Sequence, residues 1–256
     1  MKPNFLIESL TSCSGCISTI LSLDIFPQYL DKINLVRCSF MMDENNIPEN
    51  DIALIEGCVS EEKQIDILKD IRSKSKKVIA LGTCAAFGGI VALSSVKEVE
   101  PISNFIEIDG IIPGCPPPSK LLGNCLIRLL ENKEIILPEK NVCASCEFRT
   151  DNIENKFMKR INKIMPRAYS LDIENEDKRC FLERGILCLG PITRDGCECK
   201  CIKLGFPCDG CMGPIKNDFT SNAINFLSTI NLSKGLRKYK GIFYRYSKPK
   251  TKREIL

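Results

Sequence analysis

An α/β fold with a small irregular appendage is what the sequence predicts, and two observations carry the prediction. Short apolar runs alternate with helical segments through the first half of the 256-residue chain, and that rhythm stops near residue 138. Beyond it, strand and helix patterns thin out while cysteine, glycine and proline recur. Strands alternating with helices imply a parallel sheet covered on both faces, so residues 1–138 are expected to form a doubly wound, flavodoxin-like domain.

Taken in order, the strands are expected at 4–10 (NFLIESL), 33–40 (INLVRCSF), 51–57 (DIALIEG), 76–82 (KKVIALG) and 105–112 (FIEIDGII). Each is a short apolar run of the kind that forms a buried strand. Helices are expected between them at 14–30, 60–75 and 118–132. In SEEKQIDILKDIRSKS (60–75), Ile65, Leu68 and Ile71 share one face and the charges lie opposite. Residues 139–256 form a second, cysteine-rich domain. It opens on NVCASCEFRTDN, and a polar connector, SLDIENEDKR (170–179), divides it. Residues 180–214 then hold seven cysteines in thirty-five positions, followed by an expected amphipathic helix at 217–230. A segment with so little periodicity cannot fold on apolar burial alone and needs covalent or metal cross-links.

Sixteen cysteines, no histidine and no tryptophan are the unusual figures of the composition. The longest apolar stretch, VIALGTCAAFGGIVAL (78–93), is too short and too glycine-rich to span a bilayer. With no export leader or twin-arginine signal at its start, the chain is expected in the cytoplasm, without a membrane partner. In that reducing compartment so many thiols are metal ligands rather than disulfides. Absence of histidine removes imidazole as base and as ligand, so any metal chemistry here uses thiolate. Thiolate suits zinc, copper(I) or iron–sulfur clusters. Residues 234–256 carry nine Lys or Arg against one Glu, and the rest of the chain is net acidic. The tail is expected to be a solvated end, not a nucleic-acid contact.

Four cysteines of the first half share a location. Cys13 and Cys16 (TSCSGCIST) follow the first strand, Cys84 (ALGTCAAFGG) the fourth and Cys115 (IIPGCPPPSK) the fifth. All lie past the carboxyl end of a parallel strand, on the edge where doubly wound folds bind ligands. Four thiolates is the number a [4Fe–4S] cluster takes. Gly15, Gly82 and Gly114 beside them let backbone amides approach the cluster sulfurs. A CxxC by itself also fits a zinc half-site or a redox dithiol. Cys38 and Cys125 sit in apolar segments and are expected in the core, while Cys58, after IEG at a strand end on the same edge, has an open role. The second half has nine cysteines, at 143, 146, 180, 188, 197, 199, 201, 208 and 211. Eight would make two more four-thiolate sites; a zinc ribbon also uses paired CxxC motifs but leaves 180, 188, 197 and 201 unexplained.

At these residues the chain resembles the small subunits of [NiFe]-hydrogenases. The resemblance runs in order through CSGC, IEG, GTCAAFGG, PGCPPP, CASC, CLGPITRDGC and GFPCDGCMGP, nearly the whole chain. Its second half is most similar to the soluble, cytosolic methanogen-type branch. The resemblance implies three [4Fe–4S] clusters in a row, with the nickel–iron site on a separate large subunit. It puts a proximal cluster on Cys13, Cys16, Cys84 and Cys115, and a distal cluster on Cys143, Cys146, Cys180 and Cys188. A medial cluster falls on Cys197, Cys201, Cys208 and Cys211, with Cys199 a departure from the usual pattern. Electrons would pass to an acceptor or adaptor iron–sulfur or flavin subunit, the heterodisulfide-reductase-linked type being favoured over deazaflavin-reducing and NADP-linked sulfhydrogenase types. No catalytic residue for hydrogen is expected on this chain. Glu56, at a strand end, is a candidate to tune the proximal cluster. A quinone-reducing respiratory iron–sulfur subunit shares the first half, but such relatives keep one cluster and a Cys-Cys pair absent here. A zinc-stabilised nucleic-acid-binding protein is the alternative from another class.

Overall fold

The computed structural model describes residues 2–42, 46–93, 98–149, 160–161, 179–217, 221–222, 224, 226, 230–232 and 245–246. The chain divides into two compact units, Met1–Leu137 and Pro138–Leu256.

Five parallel strands build the first unit: β1 (Asn4–Ser9), β2 (Asn34–Cys38), β3 (Asn50–Glu56), β4 (Ser75–Leu81) and β5 (Gly110–Ile112). Their spatial order is β2-β1-β3-β4-β5, the flavodoxin-like order, in which the winding reverses between β1 and β3. Residues Ala53–Glu56 of β3 and Val78–Leu81 of β4 are continuously buried, as parallel strands covered on both faces must be. Register places Ser9 beside Glu56 and Glu56 beside Leu81, so the three central strands end level. The helices are α1 (Gly15–Leu21), α2 (Phe26–Leu30), α3 (Glu62–Lys74), α4 (Gly82–Phe87) and α5 (Ser119–Leu130). Leu68 and Ile71 of α3 pack with Leu6, Ala53, Ile55, Val78 and Ala80 in one core cluster. Each such fully buried Leu or Ile contributes about 1.5–3 kcal/mol. Cys38 and Cys125 are core residues, each 1% exposed.

Two elements differ from expectation. The helix expected over 14–30 is two short helices: the first is capped at Ser22, and Pro27 stands in the first turn of the second, where no intrahelical N–H is needed. The strand expected over 105–112 begins only at Gly110. Asp109 takes the backbone partners there: its Oδ2 accepts the Val78 N–H at 2.7 Å and its own N–H donates to the Val78 carbonyl at 2.8 Å. Helix α3 starts on a capping box, in which Glu61 accepts a backbone N–H and the Gln64 Oε1 accepts the Glu61 N–H.

The second unit contains a short helix, α6 (Lys200–Lys203), a two-stranded parallel pair, β6 (Arg160–Ile161) and β7 (Asn231–Leu232), and several single turns. Its core joins Val142, Phe181, Leu189, Ile192 and Phe226 to buried Cys188, Cys199 and Cys208. Arg194, 3% exposed, donates to the carbonyls of Pro138 and Pro214 at 3.0 and 3.1 Å and so ties the start of the unit to the end of the GFPCDGCMGP motif. Of the helix expected at 217–230, Ser221, Asn222, Ile224 and Phe226 are helical. The connector expected at 170–179 lies outside the described residues apart from Arg179, as does the basic tail apart from Arg245 and Tyr246. Among the described residues no helix is long and apolar enough to cross a membrane.

Candidate metal centres

The carboxyl edge of the sheet is held by bonds between its loops. Leu10 N–H donates to the Glu56 carbonyl at 2.9 Å, and Thr11 and Cys58 exchange both backbone bonds at 3.2 and 3.0 Å. The Gln64 amide that helps start α3 also donates to Thr11 Oγ1 at 2.9 Å. The Cys84 and Cys115 loops are tied together in the same way. Thr83 N–H donates to the Gly114 carbonyl at 2.9 Å, and Thr83 Oγ1 accepts the Gly114 N–H at 3.0 Å. Helix α1 has no side-chain cap of its own. Glu56, 1% exposed on β3, supplies one by accepting the Ile17 N–H at 3.1 Å through Oε2, and its Oε1 accepts Ser9 and Ser12 hydroxyls at 2.8 and 2.9 Å.

These ties bring Cys13, Cys16, Cys84 and Cys115 together. Burial, then the charges of Glu56, Cys84, Cys115 and Cys13, push the Cys16 thiol far above its ordinary value. The Cys84 thiol is pushed up to about 12 by burial first, then by Cys58, Cys115, Cys13 and Glu56. Thiols held this way ionise when a cationic centre compensates them, releasing protons as it binds. Two glycines leave room for the sulfurs. A Cβ on Gly82 (φ +81°) would stand 2.3 Å from the Cys16 sulfur, and one on Gly89 (φ +67°) 2.4 Å from that of Cys84. Cys13 and Cys115 are exposed, and so are the apolar side chains of Phe40, Met41, Met42, Ile90 and Val91 in the first unit.

In the second unit, Cys143, Cys146, Cys180 and Cys188 come together. The Cys143 thiol is driven upward by burial, then by Cys188, Cys180, Cys146 and Cys199. A Cβ on Gly190 would meet the sulfurs of Cys143 and Cys188 at 3.2 and 3.6 Å. The remaining candidates form two close pairs. Burial and the Cys188 and Cys211 charges raise Cys208, while Cys197 is raised by burial and by Asp195 and Cys201. The Cys208 N–H also donates to the Cys188 sulfur at 3.3 Å, so this pair lies against the preceding set. Cys199 is buried with φ +55°, donates its S–H to the Val142 carbonyl at 3.4 Å, and feels both Cys197 and Cys146. Among the described residues no three Cys, Asp or Glu side chains close round a single metal ion. The donor chemistry of the two four-thiol sets suits a larger sulfur-ligated group, and the glycines beside them leave room for one.

The residues that fix the loops of the first edge were not singled out from the sequence, Glu56 apart. Ser9, Ser12, Thr11, Thr83 and Gln64 are short polar side chains with no distinguishing spacing; only the E-x-x-Q of the α3 capping box was a visible signal.

Residues 13–129 match the family model described as NADH ubiquinone oxidoreductase, 20 Kd subunit. The chain is 35% identical to a vhu subunit of the F420-non-reducing hydrogenase of Methanocaldococcus jannaschii, over 86% of this chain and 85% of that one. It is 27% identical to the sulfhydrogenase 2 subunit delta of Pyrococcus furiosus, over 81% of this chain and 85% of that one. Among solved structures, the [NiFeSe] hydrogenase from Desulfovibrio vulgaris Hildenborough matches with a TM-score of 0.63 at 20% identity, covering 84% of this chain and 94% of that one. At that identity the likeness speaks for the fold.

Proposed function

The chain belongs to the family of F420-non-reducing hydrogenase small subunits, and from that membership we propose a relay of electrons from a hydrogen-splitting large-subunit partner through three [4Fe–4S] clusters to an acceptor subunit. Bound clusters would supply one-electron carriers; the chain supplies thiolates, donors and an apolar surround. Cys13, Cys16, Cys84 and Cys115 hold the cluster nearest the partner. Cys143, Cys146, Cys180 and Cys188 hold a second, and Cys197, Cys201, Cys208 and Cys211 a third. The observation that carries this reading is the convergence of Cys16 with Cys13, Cys84 and Cys115 from three loops on one sheet edge. An all-thiolate donor set drawn from three separate loops is the kind that iron–sulfur clusters take.

The edge around Cys13 and Cys115 is the proposed docking face for the large subunit. Exposed Phe40, Met41, Ile90 and Val91 support it, since an apolar cover keeps water from the cluster behind. An acceptor of the heterodisulfide-reductase-linked type, in the cytoplasm, is favoured by the likeness to the F420-non-reducing hydrogenase of M. jannaschii. The sulfhydrogenase likeness keeps a second acceptor type in view. Anaerobically purified complex is expected to hold about twelve irons per copy of this chain as three clusters, with the broad visible absorbance of iron–sulfur proteins. About four irons, or stoichiometric zinc, would sink the three-cluster relay.

A further inference from the structure

Cys58 is not among the twelve assigned ligands, yet the fold delivers it to the first site. Strands β3 and β4 are neighbours with Glu56 level with Leu81; Cys58 lies two residues past the first and Cys84 three past the second. Both backbone bonds to Thr11 fix Cys58 in place, and its S–H donates at 3.4 Å to the Thr11 carbonyl, two residues before Cys13. The side chain is fully buried, whereas Cys13 and Cys115 on the same edge are exposed. This edge is also the point where the sheet reverses its winding, between β1 and β3. We propose that Cys58 is a fifth iron-binding thiol of the first site, able to take the position of Cys84. Of the charges that act on the Cys84 thiol, that of Cys58 is the largest, ahead of Cys115 and Cys13, which agrees with the two sulfurs being neighbours.

The exchange balances without a co-reactant. Cys58 binds iron as thiolate, and the proton it gives up passes to the Cys84 sulfur as that sulfur lets go. Nothing is oxidised or reduced. A pair of interchangeable thiols would hold iron through the transient loss of one ligand.

The inference rests on the first site holding a [4Fe–4S] cluster, and the test separates the two. Iron content and the electron paramagnetic resonance spectrum of the reduced complex are compared for wild type, Cys84→Ala, Cys58→Ala and the double variant. Each single variant is expected to keep its iron, with an altered spectrum in Cys84→Ala, and the double variant to lose about a third of it. Loss of about a third in Cys84→Ala alone, or none in the double variant, overturns the proposal. Iron-free wild type would overturn the cluster assignment itself. Should Cys84→Ala not fold, the rate of iron loss in air serves instead: Cys58→Ala must lose it faster than wild type, and equal rates refute the exchange.

Discussion

Glu56 and Ile17 are joined by a 3.1 Å bond in which a buried carboxylate on β3 caps the first turn of α1. The same carboxylate is the largest charge acting on Cys16, the residue before Ile17. Its negative charge opposes the further negative charge a cluster gains on reduction. Glu56→Gln is therefore expected to raise the midpoint potential of the first cluster at unchanged iron content, read by redox titration of the complex. An unchanged or lowered potential would show that the carboxylate acts only as a cap. Glu56→Ala should in addition destabilise the first unit by about 1–3 kcal/mol, because the buried Ile17 N–H loses its acceptor.

Gly82 carries a second prediction. Its φ of +81° is strained for a residue with a side chain, and the Cβ of alanine would lie 2.3 Å from the Cys16 sulfur. The backbone term alone is roughly 1–2 kcal/mol, and relief of the clash must move Cys16. Gly82→Ala should lose iron from the first site while far-ultraviolet circular dichroism keeps the signature of the sheet. Gly123→Ala on α5, where the added atom meets only Ile25 at 3.4 Å, should keep its iron. Equal iron in both variants would mean that the space at Gly82 is not needed.

Asp109 gives a pH dependence. Burial pushes its carboxyl upward, but the Val78 N–H and the Arg72 guanidinium outweigh that and hold it below the usual carboxylate range. A folded-state pKa below the unfolded value of about 3.9 contributes stability that is present above that value and lost as pH falls through the folded one. Asp109→Asn should accordingly unfold at a lower urea concentration than wild type at neutral pH, with the gap closing in acid. A gap of constant size from pH 7 to pH 3 would leave the charge of Asp109 without a role in stability.

Much of the fold was legible because burial on both faces leaves parallel strands as plain apolar runs. The segments around Phe5–Ile7, Ala53–Ile55 and Val78–Leu81 read that way, and they form the centre of the sheet. Segment 105–112 misleads because its apolar residues are in part loop residues: Ile106 is buried from outside any strand. What displaces the strand is a side-chain bond from Asp109 to Val78, thirty-one residues away, a contact no local pattern encodes. The four cysteines of the first edge were legible for the opposite reason. Each follows a strand end, and parallel strands send all such ends to one side. Cys58 met the same criterion, but a single thiol with no partner motif cannot be separated from a core residue until its backbone bonds with Thr11 are seen. In the second unit, sequence spacing does not indicate that Cys199 lies against Val142, because that approach depends on two successive left-handed residues, Glu198 and Cys199.

The bond from Gln64 to Thr11 bears on the order in which the molecule is made. Gln64 belongs to the start of α3, and Thr11 to the loop that presents Cys13 and Cys16. Any chain that has folded α3 onto the sheet has already fixed that loop, so the conformational entropy of arranging it is lost during folding. Iron bound there as proposed would meet a preorganised pair of sulfurs, and its binding energy would not be drained by ordering the chain. A cluster bound as proposed would enter a loop that the docking of α3 has already ordered.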